Sequence, residues 1–169
     1  MTAPTALPCV LDIEASGFGH HSYPIEIGYM LQDGRARCML VRPCSDWTHW
    51  DIHAEQVHGI SRATLLAHGQ APTEVAAALN ADLNGHTVYC DGWAHDYTWL
   101  AVLFEAAGQV PAFRLESVLA LLPDASLSRL DEARRQAAAE IGLQRHRASN
   151  DARALQRALG LVGLLRPGT

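Results

Sequence analysis

The chain has 169 residues, 49% of them hydrophobic and 18% charged, with a formal net charge of −5. That length suits one domain with a full core, the composition excludes a disordered chain, and no run approaches the ~18 apolar residues of a membrane helix. The negative balance excludes coating of nucleic acid by bulk electrostatics, but not a site that works through cations held on acidic side chains.

Residues 1–8 lack the basic start and apolar stretch of a secretory signal, so a cytoplasmic chain is expected. Residues 9–13 form a short apolar strand that ends in acids, and Ser16-Gly17-Phe18-Gly19 reads as a turn. Residues 24–32 alternate weakly and lead through Asp33-Gly34 to 36–41, a strong hairpin signal. Residues 55–61 read as a short helical turn around Val57-His58-Gly59-Ile60. Thr73 is expected to cap a helix over 74–83, which Asn84-Gly85 ends.

From there strands and helices alternate. A fourth strand is predicted over 86–90, a helix over 95–107 ending at Gly108, and a fifth strand over 113–117. The next helix, 128–141, carries Leu130, Ala133, Ala137 and Ile141 on one stripe and stops at Gly142. A last helix over 150–159 stops at Gly160. Three meander strands followed by two strands alternating with helices describe an α/β domain, with a mixed five-stranded sheet flanked by helices, spanning residues 1–169.

The four cysteines (Cys9, Cys38, Cys44, Cys90) sit mostly in or beside apolar strands and read as reduced core residues. Zinc at Cys38, Cys44, His49 and His53 is disfavoured, because the C-x5-C spacing is wider than structural zinc sites use. All 13 basic residues are arginine, and seven of them fall between Arg129 and Arg157. Most read as the solvated face of two helices; Arg147, next to His146, is the one best placed to meet a phosphate.

Asp12 and Glu14, two apart on the first strand, project from the same face. Paired acids at the end of an apolar strand repel each other and resist desolvation, and a divalent cation with oxygen ligands would relieve both. The alternative is a strand end that emerges into water. Asp96 opens the helix after the fourth strand, at a sheet end where sites in α/β folds gather, with Asp91 as its competitor. His146 and Asp151 lie five apart, which on one helix would separate them by roughly 140°. They share a site only if His146 lies in a loop before a helix capped by Ser149 or Asn150. A half-exposed loop imidazole then suits a general base, the alternative being an ordinary surface histidine.

Taken in order, Asp12-Ile13-Glu14, Val57-His58-Gly59-Ile60-Ser61, Asp96-x-x-x-Leu100 and His146-Arg147-Ala148-x-x-Asp151-Ala152 resemble the motifs of the DnaQ-like (DEDDh) 3′–5′ exonuclease family. The resemblance spans about residues 10–159 and implies a ribonuclease H-like fold. It implies that Asp12, Glu14, Asp96 and Asp151 are metal ligands and His146 the base. Ser16, Gly17, His58 and Ile60 match segments that meet the terminal nucleotide in that family. The chain departs from the family pattern at Ala15-Ser16, at Asp91-Gly92 and at Ser149. Glu26 matches a recurrent family acid and reads as structural.

The activity implied is hydrolysis of single-stranded DNA or RNA from a 3′ end to nucleoside 5′-monophosphates. Two Mg²⁺ or Mn²⁺ ions would act roughly 3.5–4 Å apart. Oligoribonuclease-like action on very short RNA, or a nucleic-acid-binding module that has lost catalysis, are the alternatives. The chain ends soon after its last motif, with no polymerase-binding tail evident. A stand-alone enzyme is therefore expected, with a homodimer as an open assembly and no membrane partner. The stacking candidates are Phe18, Tyr23, Trp47, Trp50 and Trp93.

Overall fold

Alternation along the first strand divides the molecule into two layers. Leu11, Ile13 and Ala15 enter a core on one face of the sheet, while Val10 joins a second core on the other face. Asp12 and Glu14 share Val10's face by the period of two. The structure is a computed structural model that describes residues 7–122, 127–142 and 146–162.

In chain order the elements are β1 (Cys9–Ala15), β2 (Pro24–Met30), β3 (Ala36–Leu40), α1 (Ile52–His58), α2 (Arg62–His68), α3 (Pro72–Leu83), β4 (Thr87–Cys90), α4 (Trp93–Ala107), β5 (Arg114–Ser117), a 3-10 turn (Val118–Leu121), α5 (Leu127–Ile141) and α6 (Ala148–Leu161). The strands lie in the order β3-β2-β1-β4-β5. The first three are antiparallel, and β4 and β5 run parallel to β1. The Asp33-Gly34 hairpin forms as expected: Gly34 has φ +82, and Leu31 N–H donates to the Arg35 carbonyl at 2.9 Å.

Each layer follows from an apolar stripe. From α3, Val75, Ala76, Leu79 and Leu83, and from α4, Trp99, Leu100, Leu103 and Phe104, pack on the Leu11–Ile13 face. From α5, Leu130 and Ala133, and from α6, Ala152, Leu155, Ala158 and Leu159, pack on the Val10 face. Ala137 of the predicted α5 stripe is also buried, and the Ile141 side chain lies outside the described residues. Buried Gln156 ties α6 to the sheet, donating at 2.9 Å to the carbonyls of Pro8 and Leu31. Among the described residues no helix is long and apolar enough to cross a membrane.

Several predicted boundaries are corrected. Two short helices replace the single turn at 55–61: Asp51 caps α1 through His53 N–H at 2.8 Å, and Ser61 caps α2 through Thr64 N–H at 3.1 Å. His58-Gly59-Ile60 is thus the link between helices, with Gly59 at φ +71. Thr73 does not cap α3; Pro72 takes the first helical position and Glu74 reaches back to Ala71 N–H at 2.9 Å. Helix α6 starts at Ala148, uncapped by Ser149 or Asn150, and runs through Gly160. Cys38 and Cys44 are outside the core; Cys38 lies on edge strand β3, its thiol 3.3 Å from Glu26 Oε1.

Candidate active site

The carboxyl end of β1, the start of α4 and the start of α6 converge on a cleft of about 510 Å³. Asp12, Glu14, Asp96, His146 and Asp151 all line it, together with Gly17 and His58. Asp96 reaches it because α4 begins directly beyond β4, and its carboxyl is buried, 3% exposed. His146 stands in the loop before α6 with φ +60, a left-handed conformation rare for a residue with a side chain. Its backbone N–H donates to Asp151 Oδ2 at 2.9 Å, which stabilises that turn. Loop and helix together satisfy the geometric condition for sharing a site: ligand atoms of Glu14, His146 and Asp151 lie within 4.8 Å of one another.

What sets α6 in place is β2. Glu26 is fully buried and takes the Arg147 Nε–H between its oxygens at 3.0 and 3.1 Å. It also accepts Ala148 N–H at 2.8 Å, so a carboxylate from the sheet caps the helix. Burial alone would raise the Glu26 pKa; the Arg147 and Ala148 hydrogen bonds and the arginine charge outweigh it, and the net shift is downward. Gly28, paired with Asp12 in the sheet, lets α6 approach closely: a Cβ there would lie 2.1 Å from Ser149 N. Gly17, at φ +142, lets the turn after β1 fit against Asp51 and His49.

The acids oppose one another. Burial raises the Asp12 pKa well above the usual carboxylate range, and the charges of Asp96, Glu14 and Asp151 raise it further. Burial also pushes Glu14 up to about 8, with Asp151, Glu26 and Asp96 adding. Asp96 rises to about 7 through burial and the Asp91 charge, against hydrogen bonds from the Cys90 thiol and the backbone of Gly92 and Ile13. Asp96 Oδ2 is buried with no hydrogen-bond partner among the described residues. Hard oxygen donors, mutual repulsion and an unsatisfied buried oxygen are the features a divalent cation relieves. The donor set therefore fits a hard divalent cation.

Repulsion also gives stability a pH dependence. A carboxyl whose folded pKa lies above its unfolded value of roughly 4 contributes stability below that value and loses it as pH rises through the folded one. For Glu14 the window ends at about 8. Metal-free Glu14→Gln is expected to melt above the parent protein by a margin that widens between about pH 5 and pH 8. Thermal melts in chelator check this, and a margin flat with pH contradicts it.

Some expected residues lie outside the cleft or are engaged by other partners. Ser16, 1% exposed, is committed to the turn: its hydroxyl meets His49 Nδ1 at 2.9 Å and accepts Tyr23 N–H at 3.1 Å. Ile60 is buried in a cluster with Tyr23, Ile25 and Leu65 and is not among the residues that line the cleft. Arg147 is bound to Glu26, and Asp91 is ion-paired with Arg134 of α5. Of the stacking candidates, Phe18 lines the cleft at 68% exposure, whereas Tyr23 is buried against Trp47. His95 and Trp99 also line it, stacked at 5.5 Å beside Phe18, and sequence reasoning missed both. Their i,i+4 spacing on α4 was the available signal. Asp51, His53 and Arg134 of the lining were missed as well.

No protein-family model matches the chain, and no curated protein matches it in sequence. Solved structures do match. E. coli exonuclease I in complex with a dA16 oligonucleotide superposes with TM-score 0.69 at 13% identity, over 92% of this chain and 41% of that one. The zinc-bound E. coli exonuclease I–ssDNA complex gives 0.66 at 13% identity, over 93% and 41%. A moderately thermophilic exonuclease I from Methylocaldum szegediense gives 0.68 at 14% identity, over 95% and 42%. The chain thus spans about two fifths of the length of the solved chains it matches. At these identities the likeness establishes the fold, which is ribonuclease H-like.

Proposed function

We propose that the chain is a metal-dependent 3′–5′ exonuclease that hydrolyses single-stranded nucleic acid, DNA and/or RNA, to nucleoside 5′-monophosphates. One observation carries the reading: four acids and a histidine from distant parts of the sequence line a single cleft. Its fold is also that of exonuclease I chains solved with oligonucleotides, one of them a single-stranded DNA complex.

Asp12, Glu14, Asp96 and Asp151 would hold two Mg²⁺ or Mn²⁺ ions. When bound, such ions lower the pKa of water and stabilise charge on a leaving oxygen. His146, exposed at the mouth and fixed through its backbone by Asp151, takes a proton from the attacking water. The water oxygen forms a bond to phosphorus as the bond to the upstream 3′ oxygen breaks. That oxygen takes a proton from solvent, leaving a shortened strand with a 3′ hydroxyl and a nucleoside 5′-monophosphate. Phe18, with His95 and Trp99 beside it, offers a stacking surface at the cleft rim for a base. Gly17 and His58 also line the cleft and are suited to meet the terminal sugar.

Side-by-side digestion of end-labelled single-stranded DNA, single-stranded RNA and a dinucleotide, with Mg²⁺, Mn²⁺ or chelator, tests the proposal. Stepwise release of 5′-monophosphates that stops in chelator is expected; no cleavage of any substrate defeats it. Cleavage of the dinucleotide alone identifies an oligoribonuclease-like enzyme. His146→Ala is expected to lower kcat by roughly 10²- to 10⁴-fold, the span of general-base catalysis, and to alter the pH–rate profile. An unchanged profile excludes His146 as the base.

A further inference from the structure

Six acids line the cleft (Asp12, Glu14, Asp51, Asp91, Asp96 and Asp151), and Arg134 is the one lysine or arginine among the described residues that line it. Any phosphate entering has this single fork to meet, because Arg147 is committed to buried Glu26. Helix α5 sets Arg134 at the cleft edge by burying Leu130, Ala133 and Ala137. The guanidinium lies close enough to the metal-ligand cluster for its charge to be felt at Asp12.

We infer that Arg134 is a phosphate ligand held in reserve by Asp91. The guanidinium leaves the Asp91 carboxylate to take a non-bridging oxygen of the scissile phosphate, and then the 5′-phosphate of the released nucleotide. This rests on the nuclease reading above. The existing ion pair is partly solvated, its side chains 28% and 37% exposed, and such pairs are weak. A guanidinium–phosphate contact in a cleft is charge-assisted and can be bidentate, so the exchange favours phosphate. There is room to move, since Arg134 also lines a neighbouring cavity of about 380 Å³ with Asp131, Arg135 and Asp151.

A purely structural pair and a reserve ligand differ in sign. Equilibrium binding of adenosine 5′-monophosphate and of adenosine to the full chain, in Mn²⁺, separates them. Arg134→Gln is expected to lose roughly tenfold or more in affinity for the monophosphate and none for adenosine, as loss of a charged hydrogen bond requires. Arg134→Lys falls between. Asp91→Asn, which releases the guanidinium, binds the monophosphate several-fold more tightly than the parent. The double variant Asp91→Asn/Arg134→Gln leaves no charge unpaired, so it guards against misfolding, and it binds as weakly as Arg134→Gln. Parental affinity in Arg134→Gln, or weakened binding in Asp91→Asn, overturns the inference alone. A parent protein that binds no monophosphate in Mn²⁺ overturns the nuclease reading and the inference together.

Discussion

Asp12→Asn is expected to abolish metal-dependent hydrolysis, lowering kcat by roughly 10³-fold or more, about 4 kcal/mol of barrier. Asp12 lines the cleft with Asp96, Glu14 and Asp151, and the charges of all three raise its pKa, so it lies within electrostatic reach of the whole donor set. Asparagine has nearly the same shape but contributes no charge to a bound cation. The same change should stabilise the metal-free protein at neutral and higher pH, because a partly buried carboxylate among other acids resists ionisation. Loss of activity with a gain in melting temperature, measured on one preparation, separates a ligand from a packing residue. Wild-type turnover in Asp12→Asn contradicts the assignment.

Gly28→Ala should damage fold and site together. The new Cβ would lie 2.1 Å from Ser149 N, 2.2 Å from Ala148 C and 2.5 Å from Ala148 O. All three are backbone atoms, so no side chain can rotate aside and α6 must retreat from β2. Overpacking of this kind costs about 1–3 kcal/mol. The retreat would also separate Glu26 from Ala148 and carry His146 and Asp151 away from Glu14. A misplacement of about 1 Å at a reacting centre costs roughly 10²-fold in rate. Thermal melting and single-turnover hydrolysis measure the two effects; a stable variant with full activity shows that α6 need not lie against Gly28.

Local features of the chain were legible in sequence because short-range geometry determines them. Alternation in β1, the Asp33-Gly34 hairpin and the strand–helix rhythm after residue 85 lead to the mixed sheet that is found. The five residues chosen for their chemistry meet in one cleft, since strand ends and helix starts at one edge of a sheet face a common space. What sequence did not reveal depends on contacts between distant residues. Helix α6 is capped by Glu26, 122 positions away, so the search for a local cap at Ser149 or Asn150 missed it. Gly28 looks like an ordinary strand glycine until a helix is laid on it. Arg134 resembles its solvated neighbours on α5, and only the fold brings it to Asp91. Helix α2 has a local cap, Ser61, but its seven residues are too few to show a clear helical period.

Titration of Mn²⁺ into the metal-free protein, followed by calorimetry in two buffers of different ionisation enthalpy near pH 7, addresses the donor set most directly. Glu14 and Asp96, with pKa values raised to about 8 and about 7, hold protons that a cation must displace. Saturable binding of two ions in the low-millimolar range or tighter, with proton release and with loss of binding in Asp12→Asn, is the expected result. A folded protein that takes up no Mn²⁺ would contradict the metal site and the nuclease with it.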